Sequence, residues 1–231
     1  MTQAAAPALV LEEAEPLSTL VAPAADTRLA ALLGSRICHD LISPVGAIGN
    51  GLELMREIGG PRSAHGAELE LIGRSADAAA AVLQLYRLAF GAASPTERTP
   101  RAAARRVMAR WMVHQRADLD WPDDRGAEDL PRAAARLLCN MVQIGVALLP
   151  RGGLVRVEQA DDVGALRVRA EGQTGALPEN AAAWLDGEAP APDPSPREVH
   201  LALAGRHAVE AGVRLGVSLG EGMVTLTTAP R

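Results

Sequence analysis

Between Ala67 and Phe90, apolar residues return at alternating intervals of three and four: Leu69, Ile72, Ala76, Ala79, Leu83, Tyr86 and Phe90. That alternation is the seam of a long helix that packs along its length on other helices. A second apolar row, Ala78, Val82, Leu85 and Ala89, runs beside it. The preceding segment, Arg28 to Ile58, behaves the same way. At about 100° per residue, with Ile37 set to zero, Leu33, Leu41, Val45, Ile48, Leu52 and Met55 all fall between roughly −40° and +80°. Asp26 or Thr27 is placed to cap this first helix, and Gly59-Gly60-Pro61 to end it. Gly91 caps the second helix and Pro95 blocks its continuation. Two long helices joined by a few residues make an antiparallel hairpin. One hairpin does not cover apolar faces this wide, so a homodimer is expected in which two hairpins form a four-helix bundle.

The 231 residues are 48% hydrophobic but only 2% aromatic. A core built from Ala, Leu, Val and Ile suits helices in close approach. Formal net charge is −5, and all 23 basic residues are Arg. Scattered Arg on a mildly acidic chain excludes the basic stripe of a nucleic-acid surface. Cys38 and Cys139 are too few for a disulfide framework or a zinc site, and both are read as reduced, core-like residues. No stretch is long and apolar enough for a membrane span, and the N-terminus lacks the pattern of a secretory signal, so the expected compartment is the cytoplasm.

Residues 1–26, rich in Ala, Pro and Glu, are expected to be a mobile tail. The hairpin occupies 27–93. Beyond Ser94-Pro95 the pattern changes to short strands and helices. Helices are expected over Pro100–Gln115, Leu130–Leu149 with Pro131 in its first turn, Pro178–Gly187 and Arg197–Ala211. A strand is expected at Asp118–Trp121, before a loop at Asp123–Gly126. Hairpins are expected from Leu154–Glu158 with Ala165–Ala170 around Asp161-Asp162 and Gly164, and from Leu215–Leu219 with Met223–Thr227. Together these predict a two-layer α+β domain over 97–231.

His39 lies at about 200° on the first helix, opposite the apolar stripe, with Ser35, Ser43, Gly46, Asn50, Glu53 and Glu57 on its side. Such small polar neighbours make a flat surface on which another protein can approach the imidazole. Pro44 removes one helical hydrogen bond, frees the Asp40 carbonyl and is expected to bend the helix beside His39. Gly46, Gly49 and Gly51 weaken the helix further. A local rule broken beside one oddly placed histidine points to function, against the bland alternative of a merely kinked helix. Ser43, Gly46 and Asn50 should lie under an incoming helix, with Ile42 giving apolar contact at the edge. His65, His114, His200 and His207 show no partner pattern and are read as surface or core residues.

His39-Asp40-Leu41-Ile42-Ser43-Pro44 resembles the His-acid-x-x-Thr/Ser-Pro phosphorylation motif of sensor histidine kinases. The later segment resembles the order of their ATP-binding domain, with Asn140 to Ala147 at the place of the Asn box. Ile144 and Ala147 stand where the kinases have a magnesium-holding Asn and a Lys. The Asp-x-Gly-x-Gly box is reduced to Glu171-Gly172-Gln173-Thr174-Gly175, and no Gly lies between Gly187 and Gly205 to form the later phosphate loop. Holding triphosphate charge needs those oxygen ligands and that close-approach glycine loop. A kinase-like hairpin joined to a sheet domain without a nucleotide site resembles the ChpT-type histidine phosphotransferases. Cys38, His39, Asp40, Ser43 and Pro44 carry this resemblance, together with Arg87-Leu88-Ala89-Phe90-Gly91-Ala92.

The resemblance implies a phosphorelay protein with a degenerate ATPase-like domain over 97–231. His39 would accept a phosphoryl group from the receiver domain of a hybrid histidine kinase and pass it to response-regulator receivers, in a cell-cycle type of relay, as a homodimer and without ATP. No metal or cofactor is expected in the chain itself, with Mg2+ expected in the partner receiver. His39, Asp40 and Ser43 are the candidate catalytic residues. Arg36, Ile42, Gly46 and Asn50 are the candidate partner-binding ones. Asp40 either orients or deprotonates the ring or is a solvated charge, because adjacent helical residues face each other poorly. Ser43 either hydrogen-bonds the phosphoryl group or back-bonds to its helix. Arg36 either neutralises phosphate charge or is a surface residue. Two rival readings are an adaptor that binds receivers without carrying phosphate, and an active kinase with a divergent ATP site.

Overall fold

A computed structural model of the chain describes residues 25–59, 65–91, 96–122, 128–159, 165–187 and 192–231. The expected tail up to residue 24, Gly60-Pro61, Pro95, the loop at Asp123–Gly126 and the turn around Asp161-Asp162 and Gly164 lie outside the described residues. Helix α1 spans Ala25–Ile58 and runs on through Pro44. Helix α2 spans Gly66–Phe90. Arg36 meets Tyr86 while Gly51 faces Ile72, so the two helices lie antiparallel. Gly51 does more than loosen α1. A Cβ there would stand 2.7 Å from Ile72 Cγ1, so its bareness is what lets the helices close up.

The two apolar faces are covered unevenly. Of the α1 stripe, Leu33, Ile37, Leu41, Ile48 and Met55 are half-buried, while Val45 and Leu52 are exposed. On α2 the expected seam is not the buried row: Ala76 and Leu83 are exposed, and only Tyr86 is buried. Burial instead gathers at Ala81, Leu85, Leu88 and Ala89, where the C-terminal half of α2 meets the second half of the chain.

That second half begins with β1, Arg98–Thr99, paired antiparallel with β3, Leu130–Pro131. The expected helix over Leu130–Leu149 therefore starts later, as α4 at Arg132–Ala147, with Pro131 extended at its N-cap (ψ 145°). The pairing joins segments some thirty residues apart, which no local pattern announces. Helix α3 is Arg101–Met112 and strand β2 is Ala117–Asp120. Strands β4, Gly153–Gln159, and β5, Leu166–Gly172, form the expected hairpin. Helices α5, Ala181–Asp186, and α6, Val199–Glu210, precede the last pair, β6 at Val213–Gly220 and β7 at Met223–Pro230. The five-stranded sheet runs β2-β4-β5-β7-β6, parallel only between β2 and β4.

Alternation along the strands sends Val155, Val157, Val168, Ala170, Val224 and Leu226 into a core shared with Leu137, Leu138 and Met141 of α4 and with Leu201 and Ala204 of α6. The chain is thus a helical hairpin plus a mixed sheet with helices packed against it. Arginines of α4 fasten the two. Arg132 donates to the Arg87 carbonyl at 3.1 Å, and Arg136 to that of Gly91, satisfying the C-terminal end of α2. Arg110 of α3 adds an ion pair to Asp77 at 3.0 Å.

Candidate functional site

Helix α1 holds His39 on its outward side, with the side chain 58% exposed. Its Nδ1 lies 3.0 Å from Asp40 Oδ1. Successive helical positions diverge by about 100°, yet the Asp40 carboxylate sits between the two directions and serves both. Oδ1 meets the imidazole, while Oδ2 accepts from Arg36 Nε at 2.6 Å and from the Tyr86 hydroxyl of α2. Asp40 is therefore not a solvated charge on the helix flank. Arg36, one turn before Asp40, is also turned inward: besides Asp40 it reaches Tyr86 Oη at 3.3 Å and the Arg197 carbonyl, just before α6, at 2.9 Å. Its guanidinium is occupied within the protein rather than presented to a partner.

The electrostatics agree with this geometry. Burial disfavours charge on Asp40, but the hydrogen bonds from Tyr86 and His39 and the Arg36 charge outweigh it and hold the carboxyl below its usual range. Burial and the hydrogen bond to Asp40 push the Tyr86 phenol up, so it remains a donor. Although burial opposes it, the neighbouring Tyr86 and Asp40 raise the Arg36 pKa. Behind Arg36, His200 of α6 is buried as a core histidine. Burial, followed by the Arg36 charge, pushes its pKa down to about 4, and it is neutral.

Ile42, Ser43, Gly46 and Asn50 are all exposed. By helical phase Ser43, Gly46 and Asn50 lie within about 40° of His39, with Ile42 roughly 60° to one side. The site's small polar strip is thus continuous along α1. Cys38 is exposed, against the core-like reading, because it lies off the face that α2 covers; Cys139 is buried, and burial pushes its thiol up to about 12. Tyr86 is the functional-site residue that periodicity overlooked, by counting it only as an apolar seam position. The signal was available: it is the chain's single tyrosine, and a buried tyrosine hydroxyl seeks a partner.

The α4 segment at the place of the Asn box is arranged otherwise. Asn140 is 0% exposed and donates to the Arg136 carbonyl of its own helix at 2.9 Å. Gln143 likewise donates to Cys139 at 3.3 Å. Glu171 and Gly172 are spent in the pairing of β5 with β4. Near the end of α4 a cavity of about 130 Å³ is lined by Ile144, Leu148, Leu177, Pro178, His200 and Leu201. Among the described residues, no group of three His, Cys, Asp or Glu stands where it could hold a metal, and no helix is long and apolar enough to cross a membrane.

Residues 101–222 match the family model described as the histidine phosphotransferase C-terminal domain. Protein phosphotransferase ChpT of Brucella abortus (strain 2308) is 36% identical over 192 residues, which are 82% of this chain and 89% of that protein. A solved structure described as a bacterial phosphotransferase at 1.7 Å superimposes with a TM-score of 0.72 at 34% identity, covering 88% of this chain and 96% of the other.

Proposed function

The chain belongs to the ChpT-type histidine phosphotransferases, and we propose that its phosphoryl carrier is His39, loaded from the receiver domain of a hybrid histidine kinase and unloaded onto response-regulator receivers without ATP. The carrying observation is the exposed imidazole with its Nδ1 fixed on a carboxylate that two other groups hold. With Nδ1 engaged, Nε2 is the nitrogen left to react.

In the first transfer the Nε2 lone pair forms a bond to the phosphorus of a receiver's aspartyl phosphate, in line with the P–O bond that breaks, and that bond's electron pair returns to the receiver's carboxylate. The Nδ1 proton stays on the ring. The imidazolium so formed faces Asp40, which favours it as the buried aspartate of a catalytic triad favours its histidine. The second transfer is the same step reversed, onto another receiver's aspartate. Charge on the moving phosphoryl group is the receiver's to neutralise, with Mg2+ expected there. Ser43, exposed one turn past His39, would hydrogen-bond the phosphoryl oxygens.

Other features support the finer parts of the reading. Independence from ATP fits the burial of Asn140 and the apolar Ile144 beside it. A homodimer through the hairpin, 27–93, fits the apolar groups left uncovered on one protomer: Val45, Leu52, Ile58 and Leu83 are each at least 44% exposed. Receiver docking on the strip of Ile42, Gly46 and Asn50 fits its exposure beside His39, with the sheet domain over 97–231 as its support. The test is to incubate the protein with a phosphorylated receiver and, separately, with labelled ATP. Acid-labile label should reach the wild type from the receiver alone and be absent in His39→Ala. Receiver binding without label on His39 would leave an adaptor, and strong labelling from ATP would make the chain a kinase.

A further inference from the structure

Asp40 can help His39 only if one of its oxygens faces the imidazole, and nothing on α1 alone ensures that. Arg36 lies one turn before Asp40, and a guanidinium left to itself takes both oxygens of a carboxylate in a bidentate fork. Two observations show why it does not. Arg36 donates through Nε to Oδ2 only, while its Nη1 donates to the Arg197 carbonyl at 2.9 Å. The second bond to Oδ2 comes from Tyr86 on the other helix. Tyr86 is itself fixed, being buried and tilted against Phe90 with ring centroids 5.2 Å apart. Oδ2 is thereby saturated by two donors, and Oδ1 is left to His39 Nδ1 at 3.0 Å.

We propose that Tyr86 is a positioning residue for phosphoryl transfer: its hydroxyl turns the Asp40 carboxylate so that Oδ1 holds the proton on His39 Nδ1, which sets the reactive lone pair on Nε2. This rests on His39 being the carrier. A neutral imidazole has two tautomers, and only the one protonated at Nδ1 offers Nε2 as nucleophile. Tyr86 touches neither the phosphoryl group nor the ring, and acts through Asp40. The nucleophile on α1 is thus oriented by a group that α2 supplies, and its orientation depends on the packing of one helix against the other.

Tyr86→Phe removes the hydroxyl and keeps the ring against Phe90. Transfer from a phosphorylated receiver should slow about tenfold, with receiver affinity and the unfolding midpoint close to wild type. Nitrogen NMR of the unphosphorylated, labelled protein should show the His39 ring shifting from the Nδ1-protonated tautomer towards the other. In an Asp40→Asn background, Tyr86→Phe should slow transfer no further, because the two act through one carboxylate. An unchanged tautomer signal with wild-type transfer in Tyr86→Phe overturns the proposal, as does a full additional loss in the double variant. Either result leaves His39 as the carrier, whereas absence of label on wild-type His39 would overturn the proposed function itself.

Discussion

Helices α1 and α4 each carry a polar residue in a motif that resembles the kinases, and the structure treats them in opposite ways. His39 is 58% exposed and its Nδ1 meets a carboxylate held from two helices, while Asn140 is 0% exposed and its amide is absorbed by the helix carrying it. A polar side chain serves chemistry when it combines access with an imposed orientation. Asn140 has lost the first, and its partner is merely the backbone one turn earlier. Likeness of motif therefore does not make likeness of role, and partner geometry distinguishes the two.

The comparison breaks most sharply with Gly46→Arg on α1 set against Asn140→Leu on α4. Among the described residues, and apart from its own stretch of helix backbone, nothing lies within 4 Å of a Cβ built on Gly46, so the arginine should fold without strain and stop transfer by covering the strip beside His39. Asn140 Oδ1 is buried without a hydrogen-bond partner among the described residues, so leucine there should leave transfer unchanged and stability near wild type. A receiver-labelling assay on both variants, with circular dichroism melts, checks this; normal transfer in Gly46→Arg would move the docking face elsewhere. Next in size is Asp40→Asn, which keeps the shape but removes the charge facing the imidazolium. Single-turnover transfer should fall about 100-fold, and a rate within a factor of about two of wild type would make Asp40 a structural residue only.

A smaller effect, dependent on pH, separates α1 from α6, which packs behind Arg36. His200 stays neutral in the fold down to about 4, whereas in the unfolded chain it takes up a proton below its ordinary 6.5. Its contribution to stability is therefore complete above that ordinary value and is lost as the pH falls towards 4, by up to about 3 kcal/mol. Asp40 sets no such limit in this window, since its carboxyl is held below the usual 3.8. Urea unfolding near neutral pH and near pH 5 should show this decline in wild type and a flatter dependence in His200→Leu; identical slopes would place the acid sensitivity in other groups. The smallest effect belongs to the glycines of α1. Gly46→Ala and Gly49→Ala have open space and should stabilise by about 0.5–1 kcal/mol. Gly51→Ala must displace the Ile72 side chain and should gain nothing or lose about 1 kcal/mol. Thermal melts of the three variants rank them, and equal gains at all three sites would show that the helices adjust without strain.

Much of the architecture was legible because it is local. Helical period and turn residues placed α1, α2, α3 and the two hairpins of the sheet within a few residues of where they stand, although α1 already includes Ala25, so Asp26 and Thr27 lie within its first turn instead of capping it. The reading failed where distant segments decide. Leu130-Pro131 extends to pair with Arg98-Thr99, so α4 begins after the proline rather than around it. The buried row on α2 shifted from the seam to Ala81, Leu85 and Ala89 because the sheet domain, and not only α1, covers that helix. At the site, helical phase placed His39 on the open face with Ser43, Gly46 and Asn50. Phase could not show that Arg36 turns inward or that Tyr86 reaches Asp40, because both contacts cross between elements far apart in the chain.

The uneven covering of α2 divides that helix into two mechanical parts. Its last turns are embedded in the core and tied at their carbonyls to Arg132 and Arg136, whereas its first turns, from Gly66 to Arg74, contain no buried residue. Local opening follows buried contacts, so in a lone protomer the first turns of α2 should open before the root of the hairpin, where its last turns are buried. Tyr86 and Asp40 lie at the root. The carboxylate beside the imidazole thus sits where α2 is held most firmly, away from the turns that should open first.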